Sequence, residues 1–465
     1  MGYAIEPARA LDGQASFERL KGTLHGRVII PQDPGYDDAR KVFNGWVDRR
    51  PSMIVRAAEV SDVIRIVHYA RDMGMRLAIR SGGHDIAGNS VVDGGIVLDL
   101  RDLNSMEIDA GTRTAWAGTG LTAGEYTLAA AQQRLATGFG DTASVGIGGI
   151  TLGGGVGFLT RKYGLTIDQL LAAELVTADG NLMLVDADHH PDLFWAIRGG
   201  GGNFGVATRF RFQLHPVDHV FGGMLLLPAT VDTVCGFAAA AEAAPDELSV
   251  IANVMHAPPF PFIPPEHIGK PIIAALIMYA GDAPEAERAV APLRAIIPPI
   301  VDMLHPMNFP EIYQLKGPEP ANVAVRSLYL DAIDEHAAQT MIRALQASTT
   351  PMAVAQIRVL GGAVSRVPAD STAYAHRARR VMVGMLAMYD RPESRTVHEA
   401  WASSVAHALG QGDEGVYVNF LGDEGAARVR QAYPGPTWDR LRAIKRLYDP
   451  TNLFCMNQNI PPSTP

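Results

Sequence analysis

RSGGHDIAGNS, residues Arg80–Ser90, follows directly on the apolar run MRLAIR and decides how the first part of this chain folds. The apolar run predicts a short buried strand that leads into a glycine-rich loop. Because glycine adopts backbone conformations that other residues rarely adopt, consecutive N–H groups of such a loop can converge on an anion such as a pyrophosphate. The predicted contacts in the loop are Arg80, Ser81, Gly82, Gly83, His84 and Ser90. His84 would then lie beside the group that carries the phosphates. The alternative is a turn between two strands whose histidine points into solvent.

The composition of the chain excludes several classes of protein. Of its 465 residues, 47% are apolar and 19% are charged, which is typical of a globular protein with a large core and two or three domains. Acidic residues outnumber basic ones by 49 to 40 and the net charge is −9, so we expect no nucleic-acid partner. Cys235 and Cys455 are the only cysteines. A disulfide framework and a thiolate metal site are therefore excluded, and a reducing compartment fits.

The chain shows no targeting or membrane-spanning signal. Its first twenty residues, MGYAIEPARALDGQASFERL, have no apolar core behind a basic start, so they do not predict a secretion signal. The best apolar run, Ile272–Ala280, is too short to cross a bilayer and predicts a buried strand. We expect a cytoplasmic protein with no membrane partner, as a monomer or a homodimer.

Three segments follow one another along the chain. Residues 1–216 alternate short apolar runs with a helical pattern, SDVIRIVHYARDMG, in which Ser61 is the predicted N-cap and Gly74 the predicted stop. Residues 217–412 alternate apolar strands with alanine-rich helices, which predicts an antiparallel sheet backed by helices. Residues 413–465 contain GVYVNFL, the helical pattern TWDRLRAIKRLY and the ending DPTNLFCMNQNIPP.

A second glycine cluster, SVGIGGITLGGGVGFLTRKYG, occupies Ser144–Gly164. Its glycines are too dense for a stable helix or strand unless the backbone must approach something closely. A dinucleotide is the natural candidate, and a glycine-rich turn that packs two elements together is the alternative.

A third cluster, GGGNFG at Gly200–Gly205, satisfies the GxGxxG pattern of dinucleotide-binding folds. That fingerprint requires a strand, a turn and then a helix. Here the helix-like PDLFWAIR precedes the cluster and the strand-like VATRFRFQL follows it. The order of elements is wrong, so we do not predict NAD binding.

These three glycine segments, together with the C-terminal YDPTNLFCMNQNI, resemble the berberine-bridge-enzyme-like branch of the vanillyl-alcohol oxidase superfamily. The resemblance implies an α+β fold: a PCMH-type FAD-binding domain of two α/β subdomains in residues 1–216, and a substrate domain with an antiparallel sheet backed by helices in 217–412. Residues 413–465 would form a berberine-bridge-like segment that returns to the FAD domain. In this family the loop histidine, here His84, is bonded covalently to the 8α-methyl carbon of the flavin.

The resemblance also implies further FAD contacts. They are Thr142, Val145, Gly146, Gly148, Gly149, Asn203, Gly205, the backbone of Val206, Asn457 and Asn459. Many relatives attach the flavin a second time through a cysteine at the position of Thr142, and a hydroxyl cannot replace that thiolate. We therefore predict one covalent bond, through His84. In related enzymes a small residue at the position of Val145 leaves room for dioxygen, so valine favours an oxidase; ordinary core packing is the alternative.

Oxidation of a substrate also requires a base that takes its hydroxyl or amine proton. Relatives often carry a carboxylate where this chain has Gln356, and an amide cannot act as a base. The resemblance shifts the role to Tyr417, whose pKa would have to be lowered by Arg326 or Arg358. The alternative for Tyr417 is an aromatic strand residue with a satisfied hydroxyl. Asn419, two residues further on, would share its face of a strand.

Five further histidines and tyrosines are weaker candidates for site residues. His256, Tyr279 and Tyr329 lie on or beside predicted strands, where tyrosines are usually packing residues. The adjacent His189 and His190 are interpreted as surface residues, so we predict no metal site.

The predicted function is an FAD-dependent oxidase with one covalent flavin. It would oxidise a small alcohol, sugar, amine or polyketide-like molecule by hydride transfer and reduce dioxygen to hydrogen peroxide. The chain also resembles bacterial flavoenzymes that tailor natural products, so an oxygenating tailoring enzyme is an alternative. A flavin-binding protein with little turnover is another, because the carboxylate at Gln356 is absent.

Overall fold

The structure of the protein is a computed structural model that describes residues 15–315, 322–348, 350–411 and 415–464. The strands of these residues form three larger sheets and a two-stranded ribbon of β7 (Leu135–Ala136) and β11 (His215–Pro216). The three larger sheets are described in chain order below as the mixed sheet, the central sheet and the large sheet.

The mixed sheet carries the loop Arg80–Ser90. Its strand order is β1-β2-β4-β3, and β2 and β3 both pair with β4 in parallel while β1 is antiparallel to β2. The elements are the described part of α1 (residues 15–21), β1 (Arg27–Ile29), α2 (Tyr36–Ala39), β2 (Met53–Arg56), α3 (Val60–Asp72), β3 (Leu77–Arg80) and β4 (Ile96–Asp99). The loop leaves the carboxyl end of β3, where ligands commonly bind in parallel sheets.

The central sheet has the order β5-β6-β10-β8-β9, and all its strand pairs are antiparallel. Its elements are β5 (Met106–Asp109), β6 (Thr114–Gly118), α4 (Ala123–Ala131), α5 (Ile147–Gly153), α6 (Thr160–Tyr163), β8 (Leu170–Val176), β9 (Leu182–Asp186), α7 (Pro191–Ile197) and β10 (Val206–Gln213). The predicted order around Gly200–Gly205, helix then strand, is confirmed by α7 and β10.

The large sheet is antiparallel, has eight strands, and runs in the order β15-β12-β14-β13-β18-β19-β17, with β16 also paired to β12. Its strands are β12 (His219–Pro228), β13 (Leu248–His256), β14 (Pro271–Tyr279), β15 (Val301–Asp302), β16 (His305–Asn308), β17 (Asn322–Leu330), β18 (Ala353–Val359) and β19 (Val381–Tyr389). Its helices are α8 (Val231–Ala243), α9 (Ala283–Arg294), α10 (Glu335–Gln346), α11 (Ala363–Arg366) and α12 (Arg395–Leu409). The predicted antiparallel sheet backed by helices is confirmed.

The two faces of the large sheet have different neighbours, because side chains alternate along a strand. On β13, Val250, Ala252 and Val254 pack into the core shared with α8, α9 and α10. Asn253 and Met255 point to the opposite face, which lines a cavity. The alternation therefore separates a structural face from a cavity face.

The C-terminal segment lies against the central sheet. It contains α13 (Ala426–Gln431) and α14 (Pro436–Tyr448), and Leu441 and Ile444 of α14 belong to the same buried cluster as Phe210 of β10. The ammonium of Lys445 is fully buried and donates to Asp449 Oδ2 (2.7 Å), Asn203 O (2.6 Å) and Phe454 O (3.0 Å).

Three local expectations are settled by the backbone. α3 begins at Val60 with Glu59 as its N-cap, so the predicted cap at Ser61 is wrong, whereas Gly74 ends the helix in a left-handed conformation (φ 63°) as predicted. Residues Val418–Phe420 form a 3-10 turn and not a strand. No helix in the described ranges is long and apolar enough to span a membrane.

The division into segments 1–216, 217–412 and 413–465 stays a prediction. Its first boundary falls between β11 and β12. Its second boundary falls at residues 412–414, outside the described residues, as do the first 14 residues of the N-terminal segment.

Candidate functional site

A cavity of about 1220 Å³ lies between the glycine segments and the large sheet. One side, here called the loop wall, is formed by residues in 81–90, 140–149, 201–205, 417–420 and 456–458. The other side, here called the sheet wall, consists of Met224, Leu226, Asn253, Met255, Ala274, Leu276, Val323, Val325, Val354, Gln356, Arg358, Gly384, Leu386 and Met388. The first, second and third predicted glycine clusters thus meet in one place.

His84 lines the cavity from the loop that follows β3. Its ring stacks on Phe43, with 4.7 Å between ring centroids and 24° between planes. The preceding Gly83 has a φ of 77°, a conformation that favours glycine. The loop therefore presents the imidazole to the cavity against an aromatic support, and not to open solvent as in the alternative interpretation.

Arg80 does not face the cavity, contrary to the sequence prediction. Its guanidinium is buried and donates to Asp99 Oδ2 at 2.8 Å and to Ala39 O at 2.7 Å. Burial lowers the pKa of Arg80, and the charge of Asp99 opposes this effect. Arg80 is thus an anchor that holds the start of the loop, because a buried guanidinium must be paired.

The two serines predicted to contact an anion, Ser81 and Ser90, differ from each other in their hydrogen bonds. Ser81 donates its hydroxyl to Thr119 O at 2.6 Å and accepts from the Gly148 N–H at 3.2 Å, so it ties two glycine segments together. Ser90 lines the cavity, and its buried hydroxyl oxygen has no hydrogen-bond partner among the described residues. Because buried hydroxyl groups are normally hydrogen-bonded, a polar group of a ligand in the cavity would supply the partner of Ser90.

Gly82, Gly146 and Gly148 serve the packing of the two loops on each other. A Cβ on Gly146 would lie 2.2 Å from Gly82 N, and a Cβ on Gly148 would lie 2.9 Å from Ser81 Cβ. Gly149 is different, because a Cβ there would meet no atom within 4 Å while the residue lines the cavity. The packing alternative for this cluster thus applies to Gly146 and Gly148, and Gly149 leaves open space for a ligand.

Thr142 and Val145 lie on the loop wall between these glycines. Thr142 donates its hydroxyl to Asp141 Oδ1 at 3.0 Å. Val145 is half-buried, and its carbonyl accepts from the Ala123 N–H at 2.8 Å. Both side chains therefore lie at the cavity surface, where the resemblance had placed them.

The third cluster and the C-terminal segment are joined by Asn203. This buried side chain donates to Gly200 O (2.8 Å) and Gln458 O (3.2 Å) and accepts from the Ile460 N–H (2.9 Å). Gly205 lines the cavity, and a Cβ there would lie 2.7 Å from Val176 O. The cavity edge at this end is built by main-chain contacts.

Two residues predicted at this end, Val206 through its backbone and Asn459, are absent from the cavity lining. The side chain of Val206 is fully buried in the core beneath the mixed sheet. Asn459 is half-buried and does not line the cavity, whereas Asn457 lines it and donates to Phe454 O at 3.1 Å. Only Asn457 of the two terminal asparagines therefore reaches the cavity surface.

Tyr417 and Asn419 pack against the glycine run 153–155 at the end of α5. The Tyr417 oxygen accepts from the Gly155 N–H at 2.7 Å and from Asn419 Nδ2 at 2.9 Å, and Asn419 Nδ2 also donates to Ile150 O at 3.1 Å. A Cβ on Gly153 would lie 1.9 Å from Asn419 Oδ1. The glycine run therefore makes room for this pair, although the pair lies on a turn and not on the predicted strand.

The electrostatic expectation for Tyr417 is wrong in sign. Burial raises the pKa of its hydroxyl well above the ordinary value, and the Gly155 N–H and the charge of Arg358 oppose the rise only in part. Arg326, the other predicted cation, is paired with Glu424 (3.5 Å from Nε to Oε2). Desolvation of a phenolate in this buried site outweighs the nearby positive charge.

Gln356 belongs to a chain of polar side chains on the sheet wall. Arg358 Nη2 donates to Asp141 Oδ2 at 2.6 Å, and Arg358 Nε donates to Gln356 Oε1 at 2.9 Å. Gln356 Nε2 then donates to Asn253 Oδ1 at 3.0 Å. This chain crosses from the loop wall to the middle of the sheet wall.

Sequence reasoning missed Asn253, Asp141 and the role of Gly153 in this site. Asp141 immediately precedes Thr142, so its position could have been noticed. Asn253 gave no signal beyond being a polar residue within an apolar strand pattern, which is a usable but weak indication.

The remaining candidates are spread over the molecule. His256 lines the cavity at the end of β13. Tyr279 lies 3.5 Å from Glu285 Oε2 on the helix-backed face, and Tyr329 is hydrogen-bonded to Tyr374 at 2.9 Å. His189 is exposed, with its Nδ1 3.0 Å from Asp186 Oδ1. In the described part of the chain no group of three or more His, Cys, Asp or Glu side chains is placed to hold a metal.

Comparisons with known proteins agree with this arrangement. Residues 51–186 match the family described as FAD binding domain, and residues 416–461 match the family described as Berberine and berberine like. The chain is 32% identical over 454 residues to (R)-6-hydroxynicotine oxidase of Paenarthrobacter nicotinovorans, across 95% of this chain and 97% of that protein.

Solved structures show the same fold. The crystal structure of 6-hydroxy-D-nicotine oxidase from Arthrobacter nicotinovorans superposes with a TM-score of 0.84 at 29% identity, over 95% of this chain and 99% of that one. A xylooligosaccharide oxidase from Myceliophthora thermophila, solved with xylobiose, gives a TM-score of 0.85 at 24% identity, over 97% of this chain and 100% of that one.

Proposed function

Because the chain belongs to the berberine-bridge-enzyme-like family of FAD-linked oxidoreductases, we propose that it is an oxidase that carries one covalently bound FAD on His84. The observation that carries the proposal is the convergence of His84 and the Tyr417–Asn419 pair on a single cavity. The substrate is a small organic molecule that delivers hydride to the flavin, and dioxygen is the second substrate.

The residues of the cavity fit an FAD molecule. Gly149 leaves open space beside the second glycine segment, and the buried hydroxyl of Ser90 has no partner among the described residues. The residues proposed to hold the cofactor are His84, Ser90, Thr142, Val145, Gly149, Gly205 and Asn457, all of which line the cavity. Gly82, Gly83, Gly146, Gly148 and Asn203 shape the same wall through their backbone and packing.

When bound, FAD supplies an acceptor for substrate hydride and passes the electrons to dioxygen. His84 would hold it through a bond from a ring nitrogen to the 8α-methyl carbon. Thr142 has a hydroxyl where many relatives have a second attaching cysteine, and that hydroxyl donates to Asp141. We therefore propose a single covalent bond. We propose that the small side chain of Val145, which lines the cavity, leaves room there for dioxygen.

Tyr417 is the proposed acceptor of the substrate proton. Burial raises the pKa of its hydroxyl, and the two hydrogen bonds that its oxygen accepts, from Gly155 N–H and Asn419 Nδ2, oppose this rise because they favour the charged form. Asn419 acts as the positioning residue, since its contact with Ile150 O fixes which end of its amide faces Tyr417. Gln356 cannot take a proton and instead belongs to the polar chain on the sheet wall.

The first experiment tests the covalent bond. We expect the purified protein to be yellow, to keep its flavin after acid precipitation, and to fluoresce in a denaturing gel. The His84→Ala variant should lose the gel fluorescence, whereas His256→Ala, which also removes an imidazole from the cavity lining, should keep it. Release of free flavin from the unaltered protein by acid would refute the covalent attachment.

The second experiment tests the reaction class. An oxidase yields about one hydrogen peroxide for each substrate molecule oxidised. Incorporation of labelled oxygen from dioxygen into the product would instead support an oxygenating tailoring enzyme. Reduced flavin that reoxidises in air, while no alcohol, amine or sugar reduces it anaerobically, would support a flavin-binding protein with little turnover.

A further inference from the structure

Resting on the proposed function, we infer the substrate class: an uncharged, mainly apolar molecule that presents an oxygen acceptor to the amides of Asn253 and Gln356. The sheet wall favours neither an oligosaccharide nor an ammonium compound. The proposed function allows sugars and amines as substrates. The inference excludes these two classes and leaves an uncharged, mainly apolar substrate.

The polar chain on the sheet wall has a defined direction. The guanidinium of Arg358 can only donate, so the atom of Gln356 that it contacts at 2.9 Å must be Oε1. The amide nitrogen of Gln356 then faces Asn253, which must accept through Oδ1 at 3.0 Å. Asn253 Nδ2 is therefore turned away from Gln356, and it has no acceptor among the described residues.

Asp141 holds this direction in place. Its carboxylate accepts from Arg358 Nη2 at 2.6 Å, and both side chains are at most 10% exposed. Asn253 and Gln356, in contrast, are only half-buried and line the cavity. The two amides therefore offer N–H groups to a ligand, and an acceptor oxygen such as a carbonyl or hydroxyl is the group that complements them.

The rest of the sheet wall is apolar. Six apolar residues on five strands line the cavity around this amide pair: Met224, Leu276, Val325, Val354, Leu386 and Met388. An oligosaccharide carries a hydroxyl on most of its carbons, and burial of each one without a hydrogen bond is costly. A flat apolar body with one oxygen matches this surface much better.

The charges of the cavity also disfavour a cationic substrate. Among the described residues that line it, the carboxylates are Asp85 and Asp141. Asp85 accepts from the Asn89 N–H at 2.9 Å within its own loop, and Asp141 is paired with Arg358. A buried ammonium would need a counter-charge, and these carboxylates already have partners.

The residues at the mouth of the cavity are also mainly apolar. Phe260 and Phe262 lie in the loop between β13 and β14, are 43% and 40% exposed, and their ring centroids are 5.5 Å apart. Ile268 and Met352 are also exposed at the cavity lining. Exposed apolar residues grouped at a cavity edge are typical of a binding groove for an apolar ligand.

The test compares four probes for binding by titration calorimetry on the protein as purified. The probes are acetophenone, ethylbenzene, benzylammonium and xylobiose. Acetophenone should bind about three- to tenfold more tightly than ethylbenzene, as expected for one hydrogen bond, and more tightly than the other two. Equal affinity for acetophenone and ethylbenzene, or tighter binding of xylobiose or benzylammonium, would overturn the inference.

Variants at one position sharpen the test. Asn253→Leu removes one of the two amide donors and should reduce the preference for acetophenone over ethylbenzene, whereas Met255→Leu, on the same face of β13, should change both affinities equally. Asn253→Asp keeps an acceptor for Gln356 Nε2 and replaces the donor by a carboxylate, so it should shift the preference toward benzylammonium. An unchanged preference in Asn253→Asp would contradict the role of this amide even if Asn253→Leu failed to fold.

The two proposals can fail separately. A protein without bound flavin or without peroxide release would refute the proposed oxidase, while the calorimetric order of the probes would still be measured. A yellow, peroxide-forming protein without discrimination between acetophenone and ethylbenzene would refute only the substrate class.

Discussion

The loop wall and the sheet wall of the cavity are built in opposite ways. On the loop wall, main chain packs closely against main chain: a Cβ on Gly146 would lie 2.2 Å from Gly82 N, and a Cβ on Gly82 would lie 2.2 Å from Gly146 N. The sheet wall consists of side chains that stand on regular antiparallel strands. Substitutions therefore disturb the structure of the loop wall, whereas on the sheet wall they change mainly which molecule fits.

The largest expected effect comes from a methyl group on the loop wall. Gly146→Ala should lower the free energy of unfolding by about 3 kcal/mol or more, because the backbone atoms that its Cβ meets cannot rotate away. Gly149→Ala is the matched control: its Cβ meets nothing within 4 Å, so we expect stability to stay within about 1 kcal/mol. Urea unfolding of both variants measures the difference, and equal stability would remove the distinction between the walls.

Tyr417→Phe should affect the reaction more than the fold. We expect anaerobic flavin reduction by substrate to slow by about 10²- to 10⁴-fold, as is usual on loss of a proton acceptor. Tyr313→Phe, which also lines the cavity, should keep the rate within a few-fold. Rapid-mixing absorbance of the flavin measures both rates.

The pH profile gives an independent check on Tyr417. Because burial raises the pKa of its hydroxyl above the ordinary value of 10, the proton-accepting form grows as pH rises. The reduction rate should therefore increase with pH up to about 10 without reaching a plateau. A flat profile, or the same profile in Tyr417→Phe, would contradict the assignment.

Lys445→Met tests how the C-terminal segment supports the loop wall. The fully buried ammonium bridges Asp449, Asn203 O and Phe454 O, so its removal leaves a buried carboxylate without its cation. We expect a loss of about 3 to 5 kcal/mol in the free energy of unfolding. Arg446→Met, on the exposed side of the same helix, should cost less than about 1 kcal/mol. Similar losses for the two variants would contradict the bridging role.

Acid should lower the free energy of unfolding through protonation of His215, which lies on β11. Burial holds the pKa of this imidazole at about 4, and its ring stacks on Tyr163 with 3.9 Å between centroids. Since the folded-state pKa is lowered, the stabilisation is complete above pH 6.5 and is lost as pH falls toward 4. We expect the free energy of unfolding to fall by about 2 kcal/mol over this pH range. The fall should be absent in His215→Gln and retained in His189→Gln, which alters an exposed histidine. An identical pH slope in all three proteins would exclude His215 as the cause.

The smallest effect is expected on the sheet wall. Leu386→Met conserves volume on the cavity face of β19, so the free energy of unfolding should change by less than about 1.5 kcal/mol. We expect a shift in KM with little change in kcat and normal flavin content. A loss of bound flavin would show that this wall also shapes the cofactor site.

The sequence predicted the loop wall well by segment and less well by residue. Ser81, His84, Ser90, Thr142, Val145 and Gly149 line the cavity that we propose holds FAD. Arg80, Val206 and Asn459 do not line the cavity. The guanidinium of Arg80 is held by Asp99, 19 positions further along the chain, and the side chain of Val206 lies in the core beneath the mixed sheet. A local pattern shows which residues a loop contains but not the direction that each side chain takes.

The sheet wall was predicted as part of a substrate domain, with Gln356 as the one committed site residue on its strands. An apolar run indicated β14, but the pairing of Asn253 with Gln356 joins residues 103 positions apart. The strand that carries Gln356 lies beside β13 only because the sheet has the order β14-β13-β18. Sequence patterns could not show this neighbourhood, since strand order is set by long-range pairing.

The sequence alone determined the family, the glycine segments and the imidazole of His84 within the first of them, because each depends on residue types at short spacing. Only the tertiary structure decided which glycines meet backbone and which leave open space, that burial raises the pKa of Tyr417, and that an arginine orients two amides on the sheet wall. These properties depend on distances between residues far apart in the chain, and a linear pattern contains no such distances.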